Sequence, residues 1–261
     1  MASARNISLR SFHVWRRDLD VFLTTWKTNF LPPILEPVYY VLAFGFGMGA
    51  MIGQLSYHGT TVSYLQFMGP GVIAITILFW AYFETTYSSF VRMYYQKTFD
   101  AIIATPLLVE DVIAGEWFWG ATKSLMAGAI VLVMLSFFRL VHYPTGLFVL
   151  PLSVLGGLLF SALGLVTTAM VPKIDSFNLS TFLLVFPMFL FSGTFFPTDT
   201  LPTWAHWVAE VLPLTHLADL LRGACLARAP AHVAISLVYL LVLTVLSTWL
   251  ALRLMARRLV K

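Results

Sequence analysis

Three ionisable side chains, Glu36, Glu84 and Lys123, stand inside long runs of apolar residues. A charge held at the centre of a bilayer costs about 2.5–3.5 kcal/mol even on insertion-based scales, so each such group needs a partner, a route to water or a function. Two chemistries suit them: an ion pair that ties two helices together, or a relay that couples transport to an ion. Glu84 and Lys123 fall at similar depth on adjacent runs of opposite direction, which makes a pair between them geometrically reasonable. Glu36 stands about one turn from the nearer face, between Pro33 and Pro37, where its carboxylate reaches water or meets a polar head group.

Other reactive types carry no constellation. There is no G-x-x-x-x-G-K-[ST] and no G-x-G-x-x-G after a strand, so the chain has no ordinary cradle for ATP phosphates. His13, His58, His142, His206, His216 and His232 form no H-x-x-x-H, and Cys225 is the sole cysteine, so neither a metal site nor an internal disulfide is expected. Asp199, Glu210 and Asp219 resemble acid/base carboxylates by type alone. Asp199 with Thr200 suits a helix cap, and Asp219 with Arg222 suits an i, i+3 pair. No catalysis is assigned.

The elements that position these groups follow from composition. With 59% hydrophobic and 11% charged residues and a mean hydropathy of +0.83, a chain of 261 residues is an integral membrane protein. Six runs near the roughly 20 residues a membrane helix needs are expected at 30–53, 68–91, 114–138, 147–171, 179–197 and 231–254. Dyad alternation is missing, which argues against a barrel. Arg5, Arg10, Arg16, Arg17, Lys27, Arg92, Lys97, Lys173, Arg253, Arg257, Arg258 and Lys261 fall on one side of the six runs. Arg139, Arg222 and Arg228 fall on the other, so both termini are expected in the cytoplasm. The net charge of +4 therefore reflects orientation rather than a nucleic-acid surface. No cleaved signal is expected at the start, which lacks a short apolar core and a small-residue cleavage site.

Residues 1–28 read as an interfacial helix: Phe12, Trp15, Leu19, Phe22, Leu23 and Trp26 recur at helical spacing over an arc of about 100 degrees. Residues 97–111 hold a short helical pattern with Phe99, Ile102 and Ile103 on one side, closed by Thr105-Pro106. Gly45, Gly49 and Gly53 make a small-xxx-small surface in the first run, and Gly157, Ser161 and Gly164 do the same in the fourth. Such surfaces serve a subunit interface or ordinary intrachain packing. Residues 198–230 form a proline-punctuated, tryptophan-bearing amphipathic insert, preceded by Phe195 and Phe196 and containing Trp204 and Trp207.

The order Ser-Gly-x-Phe-Phe-Pro from Ser192, then Leu201-Pro202 with tryptophans, then Leu-Pro-Leu-Thr-His and Asp219-x-x-Arg222 resembles the permease subunits of ABC type-2 exporters. Within them, Phe83-Glu84-Thr85-Thr86-Tyr87, Phe90-Val91-Arg92-Met93, Gln96-Lys97-Thr98, Gly115-Glu116-x-x-x-Gly120-Ala121-Thr122-Lys123 and Ala231-His232-Val233 resemble the permeases of nodulation-factor exporters. The resemblance covers nearly the whole chain. It implies a single all-α domain of six spans in a bacterial inner membrane, with a coupling helix at 97–111 whose docking tip is Lys97, Thr98, Phe99 and Asp100. It also implies that ATP and Mg²⁺ act on a separate ATPase subunit, that a second copy completes the path, and that the cargo is a lipid-linked oligosaccharide or other lipid or glycolipid. In that setting Phe195, Phe196, Trp204 and Trp207 shield or guide the exit, or simply belt the fold at the interface. The rivals are an ion-coupled secondary transporter using Glu84 and Lys123, a drug-efflux permease, and a membrane-embedded lipid enzyme. The first lacks an inverted repeat, and the last lacks clustered polar or metal-ligating residues.

Overall fold

The computed structural model describes residues 7–57, 60–228 and 232–259, with backbone alone at residues 28–30, 32, 33, 46 and 60. Arg5, His58, Ala231 and Lys261 lie outside the described residues. Six helices are long and apolar enough to cross a membrane: span 1 (Ile34–Ile52), span 2 (Tyr64–Tyr95), span 3 (Val109–Phe137), span 4 (Thr145–Met170), span 5 (Ile174–Phe191) and span 6 (Val233–Leu259). All six expected runs are present and the architecture is that of an all-α membrane protein. The fifth stops six residues short of its expected end, because Gly193 takes a positive φ of 65° and turns the chain.

Span 2 is the central helix. Ser63 caps it by a capping box, its Oγ accepting from Gln66 N at 3.3 Å while Gln66 Oε1 accepts from Ser63 N at 3.0 Å. Apolar residues surround this helix on all sides, so it packs against spans 3 and 4 and the outer helix Pro213–Leu226. Small residues bring spans 2, 3 and 4 close. A Cβ on Gly120 would stand 2.3 Å from Ser161 Oγ, one on Gly157 2.9 Å from Ala121 Cα, and one on Gly164 2.1 Å from Thr85 Oγ1. The stripe in span 4 therefore does intrachain packing.

The stripe in span 1 behaves differently. Of the three, only a Cβ on Gly45 would crowd a neighbour, Leu65; one on Gly49 would stand 3.9 Å from Tyr64, and Gly53, at φ 68°, ends the helix. A two-stranded antiparallel hairpin follows, β1 (Gln54–Tyr57) and β2 (Thr60–Ser63), with Leu55 opposite Val62 and Ser56 opposite Thr61. It was not expected from an all-helical reading, although its Leu, Tyr, Thr and Val content favours a pleated strand.

The first and last described segments lie at one end of the bundle, here called the terminal end. The helix Ser11–Thr24 packs there on Gly115, where a Cβ would stand 2.5 Å from that of Val14. Trp15 Nε1 donates to Thr122 Oγ1 at 2.9 Å, and Ser8 N donates to Asp111 Oδ1 at 2.7 Å. Arg258, in the last turn of span 6, donates to the carbonyls of Thr168 and Val171 at the end of span 4. The helix breaks at Thr25 and restarts at Trp26, so the expected 1–28 element is shorter than its range. Ser11, Val14, Asp18 and Phe22 are the buried positions, while Phe12, Leu23 and Trp26 face outward. Of the expected apolar stripe, Phe22 thus turns into the bundle while Phe12, Leu23 and Trp26 face away from it, and Ser11 and Val14 occupy the groove at Gly115.

Gly157→Ala drives a methyl into the backbone of Ala121 and should lower stability by about 1–3 kcal/mol in thermal unfolding of the detergent-solubilised chain. Gly47→Ala, whose methyl meets nothing within 4 Å, should leave the midpoint unchanged.

Candidate functional site

Span 2 changes character at Glu84. Its helix widens into π-helical turns over Glu84–Ser88 and Val91–Tyr95, distortions that re-aim side chains and concentrate at working sites. Hydroxyls support the widened backbone: Thr85 Oγ1 donates to Ala81 O at 2.9 Å, and Thr168 Oγ1 of span 4 donates to Thr85 O at 2.7 Å. Glu84 and Arg92 consequently converge on the start of span 3.

Glu84 is 6% exposed, and both of its oxygens are occupied. Oε2 faces Lys123 Nζ at 2.7 Å, while Oε1 accepts from Arg92 Nη1 at 2.8 Å and from Trp119 Nε1 at 3.0 Å. The anticipated Glu84–Lys123 pair is thus present. The Lys123 ammonium also lies 5.4 Å from the ring of Trp80, 5.6 Å from Phe22 and 5.9 Å from Trp119, an aromatic cage that offsets its lost hydration. Arg92 turns its fork to Glu116, its Nε lying 2.9 Å from Oε1 and its Nη2 meeting Oε2, and Ser89 Oγ donates to the same carboxylate. A third carboxylate closes the cluster from the N-terminal helix: Asp18 Oδ1 accepts from Arg17 Nη1 at 2.8 Å and stands 4.0 Å from Arg92 Nε.

Within the interior three carboxylates face two cations, with Arg17 at the rim as a third cation. Burial pushes the Asp18 carboxyl up from 3.8 to about 7; the nearby Glu116 charge adds to that rise, and Arg92 and Arg17 oppose it. Sequence reading anticipated Glu84 with Lys123 and missed the roles of Asp18, Arg92 and Glu116. A signal was present. Glu116 and Lys123 are seven residues apart on one helix, and Glu84 and Arg92 eight apart on another, spacings that put each pair on one face.

The remaining anticipated residues are not gathered into this cluster. Glu36 lines an open, mostly apolar cavity of about 570 Å³ with Leu35, Tyr40 and Phe44. The expected 97–111 element is a short helix, Thr98–Ile103, launched by Lys97 at φ 56° and followed by a turn before span 3. Lys97 and Asp100 are exposed and 3.8 Å apart, and Thr105 and Pro106 are exposed as well, with Arg10 Nη1 donating to Pro106 O at 2.6 Å. Thr98 is half-buried. Phe99 differs from its expected place at a docking tip: it is fully buried against Phe90 and Phe177 in an inner cluster. As the only large ring on a six-residue helix, it pegs that helix to the bundle.

At the far end, Phe195 also points inward, 4.9 Å from the ring of Phe44 and 5.3 Å from Phe189, whereas Phe196, Trp204 and Trp207 are exposed. The insert folds as Thr203–Val211 and Pro213–Leu226, and Asp199 caps neither helix because the first starts behind Pro202. Arg222 is buried and stacks 4.0 Å from the ring of Phe67. It donates to Phe67 O at 3.1 Å, to the Gly193 carbonyl and to Asp219 at 2.9 Å, so the expected i, i+3 pair forms.

The sequence matches the ABC-2 type transporter family over residues 11–226, from the first residue of the N-terminal helix to the last of Pro213–Leu226. The chain belongs to that family. It is 34% identical over 248 residues to Nodulation protein J of Rhizobium leguminosarum bv. viciae, covering 94% of each chain. Against the Rhizobium leguminosarum bv. trifolii protein of the same name, identity is 34% over 254 residues, 97% of this chain and 95% of the other. The inner membrane transport permease YadH of Escherichia coli K12 is 26% identical over 211 residues, 81% of this chain and 80% of that one. The ABC-2 match spans every residue of the ionic cluster, and the cluster joins the N-terminal helix to spans 2 and 3.

Asp18 makes this joint pH-sensitive in this ABC-2 permease. Between about pH 4 and 7 the folded chain keeps a proton that the unfolded chain has lost, so this group's contribution to stability falls as pH rises through that window and levels off above it. The unfolding midpoint should be lower at pH 8 than at pH 5.5, and Asp18→Asn should remove the part of that slope due to this residue.

Proposed function

We propose that this ABC-2 permease is the membrane half of an ATP-driven exporter that moves an amphiphile, a lipid-linked oligosaccharide or another lipid or glycolipid, outward across a bacterial inner membrane. The observation that carries this is the short helix Thr98–Ile103 at the terminal end: an exposed face of Lys97, Asp100, Ala101 and Ala104 held in place by a buried Phe99 peg. A rigid, exposed helix of that kind suits a coupling element that meets a separate ATPase carrying ATP and Mg²⁺. Lysines and arginines gather at that same end, which supports a cytoplasmic placement of both termini. The outward stripe of Phe12, Leu23 and Trp26 suits an interfacial helix, and exposed Trp204 and Trp207 suit an insert dipping into the opposite interface.

Spans 1 and 5 leave most of their surface uncovered within one chain, which a second copy would cover to complete the path. Likeness to Nodulation protein J and to the inner membrane transport permease YadH supports a transport role, and the cluster supports a structural use of Glu84 and Lys123. Every oxygen of Glu84 is engaged, leaving no free carboxylate for an ion relay.

Asp100→Arg and Ala101→Glu alter the exposed face without touching the Phe99 peg. Each should weaken capture of the ATPase and reduce ATP-driven export roughly five- to a hundredfold, as expected for a coupling loss of about 1–3 kcal/mol, while the unfolding midpoint stays put. Export unchanged in both variants would reject the docking role.

A further inference from the structure

Span 6 carries a face of mixed character that turns away from the bundle. Val242, Leu246, Trp249, Arg253 and Arg257 follow one another at three- and four-residue steps, fall within an arc of about 80 degrees, and are all exposed. The face is apolar over its first two members and basic over its last two, in the turns nearest the terminal end. Three other arginines at that end are engaged within the protein: Arg92 with Glu84 and Glu116, Arg17 with Asp18, and Arg258 with the carbonyls of Thr168 and Val171. Arg253 and Arg257 make no hydrogen bond or ion pair with any described residue.

The Arg253 guanidinium stands 3.9 Å from the centre of the Trp249 ring. Trp249 lies one turn before Arg253 on a helix that runs toward the terminal end, so the charge is drawn back toward the bilayer rather than out along the helix. An arginine that reaches for bulk water extends the other way. Tryptophan settles at head-group depth, which sets this cation at the level of lipid phosphates. Stacking covers one face of the guanidinium and leaves its N–H donors, which lie in the plane of the group, for an acceptor. Phosphate oxygens accept two such bonds side by side, and Arg257 stands one turn, about 6 Å, beyond to add a second charge. A second copy suits the face poorly. Span 6 has no Asp or Glu, so packing this face against the same face of a copy sets like charges together.

We propose that this face binds an anionic phospholipid of the leaflet at the terminal end, its phosphate held by Arg253 and Arg257 and an acyl chain laid along Leu246 and Val242. Placed on the outside of the bundle, it is a resident bilayer lipid rather than cargo, and it ties span 6 to its leaflet. Zwitterionic lipids offer a similar phosphate but bring a cation that the two arginines repel, so net charge decides between them. Free phosphate lacks the chain that the apolar half of the face takes up.

The test uses the full chain in phosphatidylcholine nanodiscs doped with a phosphatidylglycerol that carries a diazirine on one acyl chain. Crosslinks are expected on residues 242–249, and unlabelled phosphatidylglycerol should compete about fivefold better than phosphatidylethanolamine, while inorganic phosphate does not compete. Arg253→Gln and Arg257→Gln should each lower labelling about fivefold, the effect of one arginine beside an anionic surface, and together about twentyfold. Trp249→Leu keeps the face apolar but frees Arg253 to swing to water, and should lower labelling about as much as Arg253→Gln. All three positions are exposed, so the unfolding midpoint in lipid-free detergent should not move. Arg139→Gln removes one charge at the far end, just past span 3, and should leave labelling unchanged. Equal competition by phosphatidylethanolamine or inorganic phosphate, arginine variants that label like the parent chain, or an equal loss in Arg139→Gln would each overturn the proposal. Val245→Cys chains that join quantitatively by a disulfide would put a second copy on this face and overturn it too. Labelling requires neither nucleotide nor ATPase, so its failure leaves the exporter reading standing.

Discussion

Glu84 is the constraint on which the terminal half of the molecule depends. A carboxylate placed in a membrane helix must be paired, and here its two oxygens draw Arg92 from the same helix and Lys123 and Trp119 from the next. Satisfying it requires the π-helical turns that bring Arg92 back toward span 3, the hydroxyls that brace those turns, and the small residues that let span 4 approach closely enough for Thr168 to reach Thr85. Arg92 then draws in Glu116, and through it the N-terminal helix is held over the cluster by Asp18. An ionic chain thus runs from the N-terminal helix to the bundle interior. Asp18, 4.0 Å from Arg92 Nε, is where the N-terminal helix meets that chain.

The far end uses the same logic with a single cation. Arg222 is buried, and its fork is spent on the carbonyls of Phe67 and Gly193 and on Asp219, with the ring of Phe67 against its plane. These bonds fix the turn after span 5 onto span 2, where Gly71 leaves room for the backbone of Thr194. Both ends of span 2 are therefore clamped by arginine, while the middle of the span is apolar. Rigid clamps at the ends and small-residue seams between suit a bundle that moves as a body, as the proposed coupling role of Thr98–Ile103 requires.

Much of this was legible in the sequence because membrane helices advertise themselves. Six apolar runs, their approximate ends and the Glu84–Lys123 pair follow from hydropathy and depth alone. What was not legible depended on tertiary context. The N-terminal helix shows an apolar stripe that includes Phe12, Leu23 and Trp26, and periodicity cannot say whether a stripe meets protein or lipid; the groove at Gly115 admits Ser11 and Val14 instead. The resemblance puts Phe99 at a docking tip and Phe195 at an exit shield, yet both rings are buried, Phe99 in the inner cluster and Phe195 among Phe44 and Phe189. The hairpin after span 1 was masked by its brevity. Arg92 and Glu116 were visible as charges at the edges of apolar runs, where orientation explained them well enough to hide their pairing.

The central claim is that Glu84 and Lys123 act as one buried unit, and a double-mutant cycle on thermal or denaturant unfolding of the purified chain tests it most directly. Glu84→Gln and Lys123→Met alone should each cost about 3–5 kcal/mol, because each strands an opposite charge in the interior. Together they should cost no more than either one, since Arg92 and Arg17 still balance Glu116 and Asp18. Additive losses in the double variant, or single variants as stable as the parent chain, would contradict the account.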